Sequence, residues 1–547
     1  MSRSQITFTL GQGTIANPAT GTDYISGIQF YYQTASTLFA PGSFGTTACQ
    51  PVFSLSDAEN KGITNDYQDE QQATATITLT LGTLDTGDQI NIVVRERLPN
   101  GVTTPVNIGT YTVASTDTSS AILAASVASY INTQSYLTAS NGAAGYTATN
   151  VVSTDVVTLV ARVGLGINLD GIAPSVTITS SSTHPTTASA TPFIGGVYSQ
   201  KAIWHYHVSE FFRANPTSQL WVQFSAAPSS TFSELTALQT AAAGSCMRIG
   251  VYSFAARTAA QVAGDLQAMQ IVANGLFTAY QPAAIFYAPN IAGLTGGVSA
   301  LENLQSSANA ESCYCIISQD GAGAGAQLFV NSYNTASASV GTSITNIGCI
   351  LGTSSAAAVS QDIGEIGAFN LSNGTEMNVP AFSTGVLISN VASSLLDLMD
   401  NYRYGFCVNM TGYPGTFVNN DWTATLSTNP YNRLGRILTI YKVERQQYIA
   451  LLPLLKSRIY LNADGTMTQT TIEQYTGAAE PRIMQMVNDG DLSPGNITGG
   501  GLTKGVVSID PTQNVNSQGY VSIVYNLLGV DIADNINVTL QFTQKLA

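Results

Sequence analysis

Short runs in which every second residue is apolar recur along the chain and predict β-strands. The first and last of these runs lie at the two ends, within residues 4–10 and 535–543. Their apolar positions, which share one face of each predicted strand, are Ile6, Phe8, Leu10, Ile536, Val538, Leu540 and Phe542. A terminal strand needs a partner for its backbone N–H and C=O groups. If that partner is another copy of the chain, this is an assembly protein.

Between the ends, strand-like runs alternate with helical patterns. The predicted strands are 24–32, 220–224, 247–254, 283–287, 312–318 and 344–351. The predicted helices are 231–243, 258–277, 298–311 and 393–401. This alternation predicts an α/β core with a mostly parallel sheet.

Residues 67–196 have a different pattern, with several strand-like runs and one helix at 119–134. A Ser/Thr/Pro-rich stretch, 180–192, is predicted to be a flexible linker. We interpret 67–196 as an inserted, self-contained α+β module. The predicted organisation is an N-terminal arm (1–20), an α/β core (21–66 plus 197–395), this module, a C-terminal domain (396–530) and a C-terminal arm (531–547).

Residues 430–460 predict a long helix with an apolar stripe, and Pro453 is expected to kink it. Arg433, Arg436 and Arg458 fall on one flank spanning about 60° of a helical wheel. Two interpretations remain open for this flank. It is either a solvated basic face or a docking surface for an acidic partner, in which charge sets register and encounter rate.

Composition narrows the classes of function. The chain has 547 residues, which predicts two to four domains, and a net charge of −14, which argues against nucleic acid as a partner. Only 10% of residues are charged, which suits large assemblies or β-rich surface proteins. We expect no secretory signal and no membrane span, because no apolar run has the required length. The six cysteines are predicted to be buried thiols.

Three motifs resemble sites of chemistry. His205 and His207 with Glu210 could bind a metal, although packing on a helix face explains them as well. The segment 321–326 partly matches the dinucleotide-binding pattern G-x-G-x-x-A, but no clear acidic residue that could bind the ribose follows about 20 residues later. A flexible loop is therefore favoured.

The third motif places Asn462, Asp464 and Glu473 at calcium-loop positions, but its glycine is misplaced, which favours a β-turn. With three histidines and no G-x-S-x-G elbow, no catalytic arrangement emerges. We therefore expect a protein that is not an enzyme and that has no cofactor and no metal.

Long segments of the sequence resemble the contractile tail sheath proteins of bacteriophages and related contractile injection machines. The similarity covers about residues 1–66 and 197–547. It lies in the segments ITFTLGQG, DYISGIQFYY, YHVSEFFRANPTSQLWVQF, YNRLGRILTIYKVERQQYIALLPLLKSRIYL, NADGTMTQTTIEQY, MQMVNDGDLSPG and VDIADNINVTLQF. The module 67–196 departs from the minimal family plan, and such insertions in this family are outward-facing decoration.

The resemblance implies a multidomain sheath-type fold and a structural role. Copies of the chain would form hexameric rings stacked as a helical sleeve around a tail tube. Contraction of the sleeve would drive the tube through a target envelope. The terminal arms would add strands to neighbouring copies, and Arg433, Arg436 and Arg458 would face the tube.

The other partners implied by the resemblance are baseplate and tail terminator proteins, with no nucleic acid and no direct membrane insertion. The chain would belong to the virion tail and be assembled in the cytoplasm of a host bacterium. Three alternatives remain. The chain could be another virion protein, such as a tube or neck protein. It could also be a surface β-rich adhesin or an enzyme with an α/β core.

Overall fold

The computed structural model describes residues 23–32, 49–65, 69–80, 86–97, 103–134, 145–165, 169–180, 187–196, 198–225, 228–328 and 343–533. The predicted terminal strands at 4–10 and 535–543 lie outside these ranges.

The strands are β1 (Ser26–Tyr31), β2 (Cys49–Val52), β3 (Thr74–Thr80), β4 (Gln89–Arg97), β5 (Thr103–Thr112), β6 (Thr147–Asn150), β7 (Val156–Val160), β8 (Ser175–Thr179), β9 (Thr187–Ala190), β10 (Leu220–Ser225), β11 (Arg248–Ala256), β12 (Ala284–Asn290), β13 (Cys313–Ile316), β14 (Ser318–Asp320), β15 (Pro380–Phe382), β16 (Tyr404–Gly405), β17 (Cys407–Met410), β18 (Tyr413–Val418), β19 (Ile497–Thr498), β20 (Gly501–Leu502), β21 (Val507–Ser508) and β22 (Val524–Tyr525). The helices are α1 (Leu55–Asn60), α2 (Ser120–Asn132), α3 (Gln200–Ala214), α4 (Ser233–Ala241), α5 (Ala259–Thr278), α6 (Leu304–Ser307), α7 (Ala324–Leu328), α8 (Ile347–Ala356), α9 (Ser393–Asn401), α10 (Leu434–Leu451), α11 (Gln469–Asn488) and α12 (Val515–Gln518).

A seven-stranded sheet in the order β16-β13-β12-β11-β1-β10-β2 forms the centre of the molecule. Its neighbouring strands are parallel except at one edge, where β2 pairs antiparallel with β10. The predicted α/β class with a mostly parallel sheet is therefore confirmed. Strand β16 extends this sheet beyond residue 395, the predicted end of the core.

The two faces of this sheet carry separate apolar clusters, because side chains of a strand alternate between faces. On β1, Ile28 and Phe30 belong to the cluster that α3, α8 and α10 cover. Tyr31, at an intervening position of β1, packs with α4 and α5 on the opposite face. Helix α10 thus lies directly against the core of the protein.

The strand predicted at 344–351 is wrong, because residues 347–351 form the start of α8. A short, fully apolar run does not distinguish a buried strand from a buried helix. Glycines four residues apart on α8 allow its close approach to α3. A Cβ atom would lie 2.0 Å from the His207 carbonyl oxygen at Gly348, and 2.5 Å from that of Phe211 at Gly352. This spacing is the sequence signal that could have identified the helix.

The inserted segment contains a four-stranded sheet (β6-β7-β3-β9), a three-stranded sheet (β5-β4-β8) and α2. Its apolar cluster draws its residues from positions 73–193. The predicted flexible linker 180–192 is wrong in part, because β9 pairs with β3. At the junction with the body, the Asp69 carboxylate accepts hydrogen bonds from the N–H groups of Gln200 and Lys201, at 2.7 and 3.1 Å.

The C-terminal part packs α11 and short strand pairs against α10 through a fourth cluster. Val521, Ile523, Tyr525 and Leu527 occupy alternate positions in the sequence and pack against that cluster. Within the described ranges, no helix has both the length and the apolar character needed to cross a membrane.

Candidate surface around helix α10

Helix α10 carries the predicted basic flank, and its other sides are largely buried. Leu434, Ile437 and Tyr441 belong to the central cluster, and Tyr448 stacks on Tyr280 with ring centroids 4.5 Å apart. The helix is shorter than the predicted 430–460. It ends at Leu451, and residues 452–454 form a 3-10 turn that contains Pro453. Proline at this place removes a backbone donor, so it terminates the helix rather than kinking it.

Arg433 lies just before the first turn of α10 and is only 3% exposed. Its guanidinium donates to Asp421 at 2.8 Å and to Asp362 at 3.5 Å. It also lies 3.9 Å from the ring centre of Trp422. A buried guanidinium cannot form part of a docking surface, so the prediction that Arg433 faces a tube is wrong for this conformation.

The contacts of Arg433 hold the beginning of α10 against a neighbouring loop. Arg403 lies over the Trp422 ring at 4.2 Å, so two guanidinium groups contact this indole. Burial raises the pKa of Asp421, and the charge and hydrogen bonds of Arg433 oppose that rise. Asp421 also accepts the N–H of Gly435 at 3.2 Å. The cluster therefore fixes where the helix starts.

Arg436, one turn further on, has a side chain that is 34% exposed. Its Nη2 atom lies 2.9 Å from the Asp531 carboxylate, near the C-terminal end of the described chain. The Arg436–Asp531 hydrogen bond lowers the pKa of Asp531. Arg436 thus holds a segment of its own chain, and its predicted contact with a tube stays a prediction.

Arg458 is exposed, but it lies beyond the end of α10. The predicted common flank is therefore wrong, because the three arginines do not belong to one helix. The wheel assumed continuity to residue 460, which the 3-10 turn interrupts. Contact between Arg458 and a tube also stays a prediction.

Two other cations of α10 make contacts that the helical wheel did not reveal. The Lys442 ammonium lies 2.7 Å from both Asp23 and Asp491. Arg445 donates to the carbonyl oxygens of Cys246 and Pro282, at 2.6 and 2.7 Å. Their partners are far away in sequence, so spacing alone could not identify them.

The histidine pair does not form a joint site. His207 is fully buried beside Phe30 and Tyr252, and this burial lowers its pKa to about 3. His205 instead contacts Glu59 at 2.8 Å, while Glu210 pairs with Arg213 at 2.5 Å. The packing interpretation is thus confirmed for His207. Among the described residues, no group of three or more His, Cys, Asp or Glu side chains could hold a metal ion.

The glycine-rich segment 321–326 has its backbone donors occupied by carboxylates. Asp320 accepts the N–H groups of Ala322 and Gly323, both at 3.0 Å, and Glu376 accepts that of Ala324 at 2.8 Å. A phosphate would need those same donors. These backbone donors are therefore satisfied within the chain, in a turn that leads into α7.

The calcium-like motif is a β-turn, as predicted. The N–H of Gly465 donates to the Asn462 carbonyl at 3.0 Å. Asp464 accepts from the N–H and hydroxyl of Thr466, at 3.0 and 2.7 Å.

All six cysteines are free thiols, and five of them are buried. The prediction of buried thiols is therefore confirmed except for Cys49, which is half-buried.

Comparison with known proteins finds no family model that matches the sequence and no curated protein that matches it. Among solved structures, the fold is similar to a chain in the cryo-EM structure of the anti-feeding prophage baseplate. The two chains are 11% identical, and the alignment covers 62% of this chain and 80% of the other, with a TM-score of 0.40.

Proposed function

We propose that this chain is the structural subunit of a contractile tail sheath. Copies would stack as hexameric rings in a sleeve around a tail tube and contract to drive the tube through an envelope. The observation that carries the proposal is the pair of alternating apolar segments, 4–10 and 535–543, at opposite ends of an α/β body. Such segments suit strand addition between copies.

The architecture of the body supports this proposal. Every strand in the described sheets comes from residues 26–525. The central sheet has both faces covered by apolar clusters whose described members lie between residues 25 and 441. Asp23 and Asp531, where the terminal segments leave the described body, both pair with cations of α10.

The chemistry of the ionisable groups is consistent with a structural protein. Buried arginines pair with carboxylates or backbone carbonyls that join elements distant in sequence, as Arg433 and Arg445 do. The partners of the subunit would be other copies of itself, the tail tube, and the baseplate and terminator proteins at the ends of the sleeve.

The test compares the two faces of the C-terminal strand by negative-stain microscopy. The double variant Val538→Asp/Leu540→Asp places charge on the apolar face, whereas Asn537→Asp/Thr539→Asp places the same charge on the opposite face. We expect wild type and the second variant to form rings, sleeves or tubes, and the first variant to remain a folded, unassembled subunit. Polymers of normal length from the first variant would contradict the proposal.

Circular dichroism of each variant separates loss of assembly from loss of folding. Deletion of 535–547 should reproduce the first variant. If wild type itself forms no polymers, the sheath proposal fails, and an adhesin or an enzyme becomes the better explanation.

A further inference from the structure

The described chain enters and leaves the body beside the same helix. The Lys442 ammonium pairs with Asp23 at 2.7 Å, at the beginning of the described chain. Arg436 pairs with Asp531 at 2.9 Å, close to its end. The two cations are six residues apart on α10, about 9 Å along the helix axis. We call these two contacts the N-terminal tie and the C-terminal tie.

The N-terminal tie is more buried than the C-terminal tie, although its Asp23 side chain is 34% exposed, and it has two components. Lys442 is only 12% exposed and also pairs with Asp491, whose side chain is 4% exposed. Burial opposes the charge on Lys442, but its hydrogen bonds to Asp23 and Asp491 outweigh that effect and raise its pKa. The fully buried Arg248 donates to the backbone carbonyl of Asp23 and, at 2.8 Å, to the Ser354 hydroxyl.

The C-terminal tie is a single pair at the surface. The side chain of Asp531 is 75% exposed and that of Arg436 is 34% exposed. Arg436 also donates to the Asn432 side chain at 3.1 Å, which holds the guanidinium near the helix when Asp531 departs. Exposed pairs are weak and are screened by salt, whereas partly buried pairs are screened much less.

We propose that α10 is a rigid helix that fixes the positions at which both terminal segments leave the body. Its N-terminal tie is permanent and its C-terminal tie is releasable. The helix is rigid because Leu434, Ile437 and Tyr441 anchor it in the central cluster. The direction in which residues after Asp531 leave the body can then change without disturbing Asp23. This inference rests on the proposed function, since it concerns segments that would link copies of the chain.

The test is hydrogen–deuterium exchange on the full chain at low and high salt. At low salt, Arg436→Gln should speed exchange of the amides at 528–533 by up to about fivefold, the limit for an exposed ion pair. It should leave residues 24–26 unchanged. At high salt the difference should vanish, because the wild-type pair is already screened.

The reciprocal variant is Asp23→Asn, which keeps the Lys442–Asp491 pair. It should speed exchange at 24–26 at both salt concentrations and leave 528–533 unchanged. Arg458→Gln removes an exposed cation outside α10 and should affect neither region. The charge swap Arg436→Asp/Asp531→Arg should restore slow exchange at 528–533.

Faster exchange at both regions in Arg436→Gln, or at neither, would overturn the proposal of two independent ties. These readouts need only the folded subunit. If the ties behave as expected but wild type does not assemble, the sheath role fails while the ties stand. If wild type assembles but Arg436→Gln changes nothing, only this inference fails.

Discussion

The inserted module and the body that carries it differ in how positively charged groups are placed. The interior of the module is an apolar cluster from residues 73–193. Its ion pair between Arg162 and Glu96, at 2.8 Å, remains partly exposed, with 28% and 11% of the two side chains accessible. In the body, Arg248 is fully buried and Arg433 and Arg445 are at most 4% exposed.

The difference follows from how each region is connected. The strands of the module come from one continuous stretch of sequence, so apolar burial and short connections suffice to assemble it. The body joins segments from residues 23–65 and 198–533. Buried Arg248 contacts Asp23 across this boundary, whereas Arg433 and Arg445 contact other parts of 198–533. Directional charged contacts specify such joints, but they make each joint sensitive to the loss of one partner.

The largest expected effect is at Arg433. Replacing it with methionine leaves Asp421, which is 1% exposed, without its charged partner. Breaking a buried pair in this way costs about 3–5 kcal/mol. All three tryptophans of the sequence, Trp204, Trp221 and Trp422, lie in the body. Denaturant unfolding followed by tryptophan fluorescence therefore reports the unfolding of the body.

The matched control is Arg436→Met on the same helix, which removes an exposed pair and should cost less than about 1 kcal/mol. Equal effects of the two substitutions would show that burial does not distinguish the two arginines. In that case the contrast between buried joints and surface contacts would be lost.

The elements that the sequence predicted well have clear periodicity. The helix predicted at 393–401 is α9, Ser393–Asn401, and the strand predicted at 220–224 is β10, Leu220–Ser225. Local spacing is enough for such elements, because their side chains alternate or repeat on one face. The helix predicted at 298–311 is wrong, since that region holds a 3-10 turn at 297–300 and the short helix α6.

The charged contacts could not be predicted for a different reason. A helical wheel places Arg433 and Arg436 on one flank, but it contains no information about Asp421 or Asp531. Burial of Arg433 depends on a loop that precedes the helix and on Asp362, 71 residues away. The sequence therefore drew attention to the cations of α10, but it led to a wrong prediction of the groups that they contact.

A smaller effect tests the junction between the two regions. Ser199 is the N-cap residue of α3, the helix that carries Trp204, and Asp69 provides a second cap by accepting the first two N–H groups of that helix. Loss of such a cap costs about 1 kcal/mol. Asp69→Ala should therefore lower the free energy of unfolding, measured by tryptophan fluorescence, by this amount. Ser119 caps α2 inside the module, with a 3.3 Å bond to the Ile122 N–H. Ser119→Ala should leave the tryptophan transition unchanged.

The same contact refines how the module can be removed. A deletion of 67–196 also removes Asp69, whereas a deletion that begins after residue 70 retains the cap. If the module is peripheral, the second deletion should leave the tryptophan transition at the wild-type position. A shift by Ser119→Ala as large as that by Asp69→Ala would show that the two regions unfold together.

The smallest effect concerns a pair of carboxyl groups in the body. A Cβ atom on Gly323 would lie 2.3 Å from Asp320 Oδ2 and 2.6 Å from Glu376 Oε2, so these two oxygens converge. Burial raises the pKa of Glu376 to about 7, the N–H of Ala324 opposes the rise, and Asp320 and Glu210 add to it. Below that pH, a protonated Glu376 can donate to Asp320. Above it, two carboxylates repel across the glycine-rich turn.

The sign of the pH dependence follows from proton binding. An unfolded glutamate titrates near pH 4.3, so between about pH 4.3 and 7 the folded chain binds more protons than the unfolded chain. Stability from this group is therefore present at low pH and is lost as pH rises to about 7. Glu376 is half-exposed, so solvent screening limits the effect to less than about 1 kcal/mol. Glu376→Gln keeps a neutral donor for Asp320, so its stability relative to wild type should rise from pH 5 to pH 8. The exposed Glu473→Gln should show a constant difference, and a constant difference for Glu376→Gln would mean that the two carboxyl groups do not share a proton.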